Sequence, residues 1–390
     1  MSRRILTVLG TRPEAIKFAS LINRLDQDDR ITHAVCSTGQ HKEMLQQVLD
    51  VFGIAPAYDL KLMTHGQNLT QILGTMLSAL SPVIEDFRPD TILVQGDTTT
   101  AFGAAAAAFY SRVKVAHIEA GLRTGDMDAP YPEEGNRRLI GVVADWHFAP
   151  TQRAKSNLLR EGVDPANIRV TGNTGIDALL YMRDRLRQDH VLRGACETAF
   201  DFINPRKKLV LVTGHRRENF GEGLKRIFSG LAKIAARPDT QVIYPVHLNP
   251  NVRGPAQDML KDVSNLFLIN PVEYHQMVYL MDRASLIVTD SGGIQEEAPS
   301  FGVPVLVTRD VTERQEAVDA GAARLVGTDP HVLVTEANKS LDAPRMKLDN
   351  VSFVNPFGDG RAALRIHNTL MGDEQRKDLA RRASHIQAAE

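Results

Sequence analysis

Short apolar runs alternate with helical patterns from the first residues of the chain, and this alternation restricts the fold more than any other feature. Arg4 to Leu9 is predicted to form a buried strand, and a helix follows with Pro13 in its first turn, where a missing amide costs nothing. The pattern predicts further strands at residues 34–38, 91–94, 113–118 and 146–149, and helices at 42–52, 69–87, 98–111 and 152–161. Strands that alternate with helices indicate a parallel, doubly wound α/β sheet.

The alternation restarts after residues 204–208, with strands predicted at 209–212, 241–244, 266–269, 286–289 and 303–307. A chain of 390 residues also exceeds the usual size of one hydrophobic core. We therefore predict an α/β protein with two Rossmann-like doubly wound domains that face each other across a cleft. The predicted N-terminal domain comprises residues 1–172 and 370–390, with a charged helical tail at 375–390. The predicted C-terminal domain comprises residues 173–369.

The composition excludes several classes of protein. Lysine and arginine number 46 against 47 acidic residues, so no basic surplus indicates a nucleic-acid surface. Cys36 and Cys196 are the only cysteines and lie far apart, which fits a reducing compartment and gives neither a disulfide framework nor a metal site. The longest weakly polar stretch, residues 101–110, is too short to span a membrane. The sequence thus predicts a cytoplasmic protein without a metal.

Polar side chains follow the predicted strands directly, which is where ligands bind in doubly wound sheets. The candidates are Arg12, Lys17, Asp97 and Glu119 in the first half, and His215, His247 and the segment from Asp290 to Glu297 in the second. The chain has neither a Walker lysine motif nor Gly-x-Gly-x-x-Gly, so neither ATP hydrolysis nor dinucleotide-dependent dehydrogenation is supported.

The segment from Leu286 to Glu297 is predicted to be a strand, a small-residue turn and a helix start. Ser291, Gly292 and Gly293 leave the amides at that helix N-terminus accessible, and such amides bind phosphate. Glu296 or Glu297, one turn later, could accept the hydroxyls of a ribose. An ordinary strand-to-helix turn with two solvated glutamates explains the same residues equally well.

The carboxylates differ in how strongly the residues alone indicate a function. Asp97 precedes a run of threonines, and a helix cap is the favoured explanation. Glu133 and Glu134 are best explained as first-turn acids that complement a helix dipole. Glu119 leaves a buried strand and enters a glycine-bearing loop, which favours a functional role.

The cationic candidates also have two explanations. His215 lies between Gly214 and two arginines, so a protonated side chain beside a phosphate and a plain surface position are equally supported. An exposed loop position explains His247. Arg12 and Lys17 lie at a helix start, where cations commonly face an anion, although a solvated helix face is the alternative.

Eight motifs together resemble those of the bacterial non-hydrolysing UDP-N-acetylglucosamine 2-epimerases, which share the two-domain GT-B glycosyltransferase fold. They occur in family order and span nearly the whole chain: Gly10-Thr-Arg-Pro-Glu-Ala-Ile-Lys17, Gly96-Asp-Thr-Thr-Thr100, His117-Ile-Glu-Ala-Gly-Leu-Arg-Thr-Gly125, Pro132-Glu-Glu-Gly-Asn-Arg137, Gly172-Asn-Thr174, Thr213-Gly-His-Arg-Arg-Glu-Asn219, Tyr244-Pro-Val-His-Leu-Asn-Pro250 and Thr289-Asp-Ser-Gly-Gly-Ile-Gln-Glu-Glu-Ala298.

The resemblance implies a reversible inversion at C2 that converts UDP-N-acetylglucosamine to UDP-N-acetylmannosamine without a cofactor. Elimination of UDP would give 2-acetamidoglucal, and re-addition of UDP with a proton on the opposite face would give the epimer. By motif position, the catalytic candidates are Asp97, Glu119, Glu133 and His215. The implied contacts to UDP and the sugar are Arg12, Lys17, Arg137, His247, Ser291, Gly292, Gly293 and Glu297.

The sequence matches the family only partly at a second ligand site. Gln40 and His41 partly match segments that bind a second UDP-N-acetylglucosamine as an activator in several members, but the arginine that some members carry near Gly66 is absent. A homodimer is also implied. The competing predictions are a sister 2-epimerase for another UDP-2-acetamido sugar, a GT-B glycosyltransferase with an acceptor site, and a non-catalytic nucleotide-sugar sensor.

Overall fold

The computed structural model describes residues 2–39, 42–62, 66–344 and 355–372. These residues divide into two compact units, one that runs to Ala178 and resumes at Gly358, and one that spans Leu179–Phe357. The sequence-based boundaries, after residues 172 and 369, lie near these divisions without coinciding with them. The buried carboxylate of Asp177 accepts hydrogen bonds from the amides of Ala362 (3.1 Å) and Ala363 (2.9 Å), which ties the helix at 362–372 to the first unit. The predicted tail helix at 375–390 lies outside the described residues.

The first unit is built on a seven-stranded sheet in which every strand pair is parallel. Its strands are β1 (Arg3–Leu9), β2 (Ile31–Ser37), β3 (Tyr58–Asp59), β4 (Thr91–Gln95), β5 (Lys114–Ile118), β6 (Trp146–Ala149) and β7 (Ile168–Val170). Their order in the sheet is β3-β2-β1-β4-β5-β6-β7. The direction of winding therefore reverses between β1 and β4, and this switch point is where doubly wound sheets bind ligands.

The helices of the first unit connect these strands. They are α1 (Arg12–Asp26), α2 (Lys42–Phe52), α3 (Leu69–Phe87), α4 (Thr99–Tyr110), α5 (Glu133–Val143) and α6 (Gln152–Arg160). Helix α7 (Thr174–Gln188) begins in the first unit and ends in the second, and α8 (His190–Ala199) follows it. Residues 174–199, which follow the last strand of the first unit, are therefore almost entirely helical.

The second unit repeats the same topology with six parallel strands. They are β8 (Lys208–Thr213), β9 (Thr240–Pro245), β10 (Leu266–Ile269), β11 (Leu286–Thr289), β12 (Val305–Val307) and β13 (Ala323–Leu325). The sheet order is β10-β9-β8-β11-β12-β13, so the switch point lies between β8 and β11. The helices are α9 (Glu222–Ala235), α10 (Pro250–Leu260), α11 (Tyr274–Arg283), α12 (Gly292–Glu297), α13 (Gln315–Asp319) and α14 (Pro330–Asp342).

Helices on both faces bury the sheets, which is why their central strands read as continuous apolar runs. In the first unit, Leu6, Val8 and Val94 pack in one core cluster with the alanines of α4. Val210, Val212 and Val288 take the corresponding places in the second unit. The strands that sequence analysis missed, β3, β7 and β13, have only two or three residues each. Among the described residues, no helix is long and apolar enough to cross a membrane.

Gly121 lies just past β5, and two separate properties make it difficult to replace. Its φ of +87° favours glycine, and a Cβ atom there would lie 2.3 Å from the carbonyl oxygen of Ala154. Gly162 has nearly the same φ, +85°, but a Cβ atom there would meet nothing within 4 Å. Alanine at Gly162 would therefore measure the cost of the backbone conformation alone, and alanine at Gly121 would add the cost of the steric clash.

We expect Gly121→Ala to lower the free energy of unfolding by about 2–4 kcal/mol, since it combines a left-handed alanine with overpacking against rigid backbone. Gly162→Ala should cost about 1–2 kcal/mol, from backbone conformation alone. Denaturant unfolding of both variants measures the difference. Equal losses would show that the contact with Ala154 is not a real constraint.

Candidate active site

At the switch point of the first unit, a buried glutamate joins the two turns that follow β1 and β4. Glu14, in the first turn of α1, accepts hydrogen bonds from the amides of Gly10 (2.9 Å) and Thr11 (2.7 Å) through Oε2, and from the Thr98 hydroxyl (2.6 Å) through Oε1. Burial raises the pKa of Glu14 above its ordinary value, against the lowering effect of these donors. Sequence analysis quoted Glu14 only as part of a motif and did not give it this role.

Glu119 and Lys17 form an ion pair at the same edge of the sheet. Lys17 reaches it from α1, and Gln95, the last residue of β4, donates a hydrogen bond of 2.9 Å to the same oxygen, Oε2. Only 8 % of the Glu119 side chain is exposed, and its φ is +63°, an uncommon value for a residue with a Cβ atom. The structure therefore brings two predicted site residues, Lys17 and Glu119, into direct contact.

Asp97 forms the second ion pair of this edge, with Arg137 from α5. The guanidinium lies 2.5 Å from Oδ2 of Asp97 and 3.1 Å from Oε2 of Glu134. Asn136 also holds the main chain at Asp97, because its side-chain amide donates a hydrogen bond of 2.8 Å to the backbone carbonyl oxygen of Asp97. The helix-cap explanation for Asp97 is wrong, since the hydroxyl of Thr98 caps α4 by accepting from the amide of Ala101.

Glu133 and Glu134 are neighbours in the first turn of α5, but their environments differ. Glu134 is fully buried and accepts hydrogen bonds from the amides of Thr124 (3.1 Å) and Gly125 (3.3 Å), in addition to Arg137. Burial alone would raise the pKa of Glu134, but these donors together bring it below its ordinary value. Oε2 of Glu133 is buried and has no hydrogen-bond partner among the described residues, which is costly unless a ligand or a proton uses it.

His117 supports the turn before Asp97 from the neighbouring strand. It is fully buried on β5, and its Nε2 lies 2.7 Å from the carbonyl oxygen of Gly96, to which it donates. Burial lowers the pKa of His117 to about 3, so the ring is neutral at physiological pH. Sequence analysis quoted this histidine only as part of a motif.

In the second unit, Asp290 joins the two turns at the switch point as Glu14 does in the first, but from the opposite strand of the pair. It follows β11, is 1 % exposed, and accepts hydrogen bonds from the amides of His215 (3.0 Å) and Arg216 (2.9 Å) in the turn after β8. The side-chain amide of Asn219 adds a third donor at 3.3 Å. A buried carboxylate thus joins the two turns at this switch point too.

The side chains of His215 and His247 stack, with ring centroids 5.3 Å apart and 20° between the ring planes. His247 is an exposed loop residue, as the sequence predicts, and the structure also places its ring beside that of His215. Burial lowers the pKa of His215, Asp290 opposes this, and His247 and Arg216 lower it further, so the net shift favours the neutral ring. The protonated state considered for His215 is therefore not the one that its described surroundings favour.

The turn from Ser291 to Gly293 forms the start of α12, as predicted. Gly293 is exposed, whereas Gly292 is buried beneath Arg314, whose Cζ atom would lie 3.0 Å from a Cβ atom at that position. The two glutamates that follow, Glu296 and Glu297, differ in their surroundings. Glu296 is 4 % exposed and pairs with Arg314 (Nε to Oε1, 2.8 Å), whereas Glu297 is only partly buried.

The remaining candidates are placed as follows. Arg12 is the first residue of α1 and is partly buried at the β1 edge. Gln40 and His41, the candidates for an activator site, lie outside the described residues. Within the described part of the chain, no group of three or more His, Cys, Asp or Glu side chains could hold a metal ion.

The pKa of Glu134 gives a prediction for stability. Replacing Glu134 with Gln should lower the free energy of unfolding by about 2–4 kcal/mol at neutral pH, because Arg137 loses a buried partner. A carboxyl group whose pKa is lowered by folding stabilises the folded state at pH values above its pKa in the unfolded chain. This stabilisation is lost as the pH falls through the pKa of the group in the folded state. The difference between wild type and variant should therefore narrow below about pH 4.5.

Denaturant titrations across this pH range measure that difference. Glu85→Gln, at an exposed position on α3 of the same unit, is the control and should differ little from wild type at any pH. A gap between wild type and Glu134→Gln that is constant with pH would contradict the assignment.

Comparisons with known proteins agree with this architecture. The sequence model of the family described as UDP-N-acetylglucosamine 2-epimerase matches residues 23–371. The UDP-N-acetylglucosamine 2-epimerase of Yersinia pestis is 53 % identical over 368 residues, which cover 94 % of this chain and 98 % of that protein. The enzyme of Escherichia coli K12 is 52 % identical with the same coverage.

Among solved structures, UDP-GlcNAc 2-epimerase from Neisseria meningitidis bound to UDP-GlcNAc matches with a TM-score of 0.85 and 47 % identity, over 95 % of this chain and all of that one. The predicted fold class, two Rossmann-like α/β domains of the GT-B type, is confirmed by this likeness and by the two parallel sheets. The chain belongs to the UDP-N-acetylglucosamine 2-epimerase family.

Proposed function

We propose that the protein interconverts UDP-N-acetylglucosamine and UDP-N-acetylmannosamine by inverting C2 of the sugar. The observation that carries this proposal is a set of three carboxylates in the first unit: Asp97 and Glu119, each paired with a cation, and Glu133, whose buried Oε2 has no hydrogen-bond partner in the described part of the chain. Relatives about half identical to this chain are named for that epimerisation. This disfavours the competing predictions of a glycosyltransferase, a nucleotide-sugar sensor and an epimerase for another UDP-sugar.

The chemistry of the substrate explains why carboxylates and cations are needed together. The proton at C2 is not adjacent to a carbonyl group and is not acidic in the ground state. As the C1–O bond to UDP breaks, its electron pair leaves with the diphosphate, and the positive charge that develops at C1 makes the C2 proton acidic. A base then takes that proton, which gives 2-acetamidoglucal and UDP. Protonation of C2 on the opposite face with return of UDP to C1 gives the epimer.

The charged residues of the first unit supply the groups that this route needs. The carboxylates of Asp97, Glu119 and Glu133 act as base and acid at C2. Lys17, Arg137 and Arg12 are cations that stabilise the departing diphosphate. Lys17 and Arg137 are paired with Glu119 and Asp97, so the proposed cations and carboxylates lie directly beside one another.

The second unit supplies the nucleotide site in this proposal. Ser291 to Gly293 present amides at the start of α12, and the exposed Gly293 leaves room for a phosphate. Glu297, which is only partly buried and has the motif position that the resemblance links to UDP, accepts the ribose hydroxyls. His215, neutral and stacked on His247, can donate a hydrogen bond to the diphosphate and takes up a proton more readily once that anion is bound. A neighbour of this fold, the N. meningitidis enzyme, binds UDP-GlcNAc.

This division of roles predicts two separable classes of variant. Asp97→Asn, Glu119→Gln and Glu133→Gln should each lower kcat for epimer formation by about 10²–10⁴-fold, since each removes an acid or base, and none should weaken the binding of UDP. Glu297→Gln should raise the Kd for UDP by about 10–100-fold, because it weakens a charge-assisted hydrogen bond. Chromatographic detection of the epimer and calorimetric titration with UDP measure the two effects.

Asp128→Asn is the control for the carboxylates, because Asp128 is an exposed acid on the loop that precedes α5. Its kcat and its Kd for UDP should both match wild type. A carboxylate variant that keeps normal turnover would be removed from the catalytic set. A Glu297→Gln protein that binds UDP normally would reject the proposed ribose contact.

We also infer that the protein is a homodimer, and the first unit carries a surface that supports this. The neighbouring helices α4 and α5 expose Phe109 (55 %), Tyr110 (80 %) and Val142 (84 %). Exposed apolar groups clustered on adjoining helices mark association surfaces. The cytoplasmic location and the activator site at Gln40 and His41 stay predictions.

Light scattering tests the dimer. Wild type should have twice the 43.0 kDa mass of the chain, and Val142→Asp should shift it toward the monomer. Val191→Asp is the matched control, because Val191 is 85 % exposed on α8 in the other unit and should leave the mass unchanged. A monomeric wild type, or equal behaviour of the two variants, would overturn this inference.

A further inference from the structure

Gln95 is a buried side chain that the proposed reaction has not used. It is the last residue of β4, is 3 % exposed, and pairs in register with Ile118 on β5. Because Glu119 follows Ile118 directly, the side chain of Gln95 needs to reach only from β4 to the end of the adjacent strand β5. Its Nε2 donates to Oε2 of Glu119 at 2.9 Å. A polar amide that follows the apolar residues Ile92 to Val94 of a central strand is thus aimed at a proposed catalytic carboxylate.

The two oxygens of Glu119 are not equivalent. Oε2 receives both the Gln95 amide and the Lys17 ammonium. Oε1 has no hydrogen-bond partner among the described residues. Two donors converging on one oxygen restrict rotation of the carboxylate far more than a single donor would. The oxygen left without a partner is then the one able to exchange a proton.

Gln95 and Lys17 differ in what they can do once a diphosphate is present. Lys17 is a cation, so an incoming diphosphate competes with Glu119 for it. Gln95 carries no charge and lies buried at a strand end, so it has no comparable attraction to the anion. It is the donor that keeps Oε2 in place while the leaving group forms.

We propose that Gln95 is a positioning residue that holds Oε2 of Glu119 so that Oε1 faces the proton transferred at C2. This inference rests on the proposed function, because it gives Gln95 no role unless Glu119 takes part in the reaction. Proton transfer depends steeply on placement, and a displacement of about 1 Å can lower a rate about 10²-fold. A purely structural glutamine would instead affect stability without a specific effect on turnover.

The first test replaces Gln95 with Met, which keeps the length and burial but removes the donor. We expect kcat for epimerisation to fall about 10–100-fold and KM for UDP-N-acetylglucosamine to change less than about threefold, because the displaced group acts in the chemical step rather than in nucleotide binding.

Gln241→Met is the matched control. Gln241 is also 3 % exposed and lies on a strand, and its side chain donates to the carbonyl of Phe202 (2.9 Å) and accepts from the amide of Asn204 (2.8 Å). This variant should lose at least as much thermal stability as Gln95→Met and keep the wild-type kcat.

The second test uses Gln95→Glu, which has nearly the same shape. Below its pKa, the introduced carboxyl is neutral and can still donate to Glu119. Above its pKa, it places a second negative charge beside Oε2, and the proximity of that like charge moves its own pKa upward. The ratio of kcat in this variant to kcat in wild type should therefore fall as the pH rises from about 6 to about 9.

The outcomes separate this inference from the proposed function. An active wild type with unchanged kcat in Gln95→Met, or a ratio for Gln95→Glu that does not vary with pH, would overturn the positioning role and leave the epimerase function intact. A wild-type protein that forms no epimer would reject the function itself. A loss of kcat in Gln241→Met as large as in Gln95→Met would assign the effect to stability and would also overturn the proposal.

Discussion

The site depends on one repeated interaction, a buried carboxylate that accepts backbone amides at the switch point of a parallel sheet. Where two neighbouring strands end and their connections diverge, the amides of the following turns are turned inward, and burying them without partners is costly. Glu14 satisfies Gly10 and Thr11 in the first unit, and Asp290 satisfies His215 and Arg216 in the second. The same contacts fix the turns that carry the reactive side chains.

Around these anchors, the first unit holds two carboxylate–cation pairs, and the second holds the stacked rings of His215 and His247. Lys17 with Glu119 and Arg137 with Asp97 offer cations beside carboxylates, an arrangement suited to a reaction in which an anion leaves as a proton is taken. Partial desolvation of His215, together with His247 and Arg216, lowers its pKa against the opposing effect of Asp290, and a bound anion would raise its affinity for a proton. We therefore propose acid–base and cation roles for the first unit's site residues and nucleotide binding for those of the second.

The alternation of strands and helices was sufficient to predict the two α/β units, because buried parallel strands are continuous apolar runs. It could not reveal Tyr58–Asp59 or Ala323–Leu325, since two or three residues carry no periodicity. The candidate carboxylates came mainly from motif resemblance. Their partners could not be predicted, because contacts such as Gln95 with Glu119 join separate strands and depend on side-chain direction rather than on spacing. The wrong helix-cap assignment for Asp97 has a similar cause, because its neighbour Thr98 is an equally good cap.

The central claim is that C2 loses its proton and regains one from solvent-exchanged groups while UDP is detached. NMR of UDP-N-acetylglucosamine incubated with the protein in deuterated water tests it most directly, without an acceptor or a cofactor. We expect UDP-N-acetylmannosamine to appear with deuterium at C2, and recovered UDP-N-acetylglucosamine to gain deuterium at the same carbon. Formation of the epimer with the original hydrogen retained at C2, or no exchange in a folded protein that binds UDP, would contradict it.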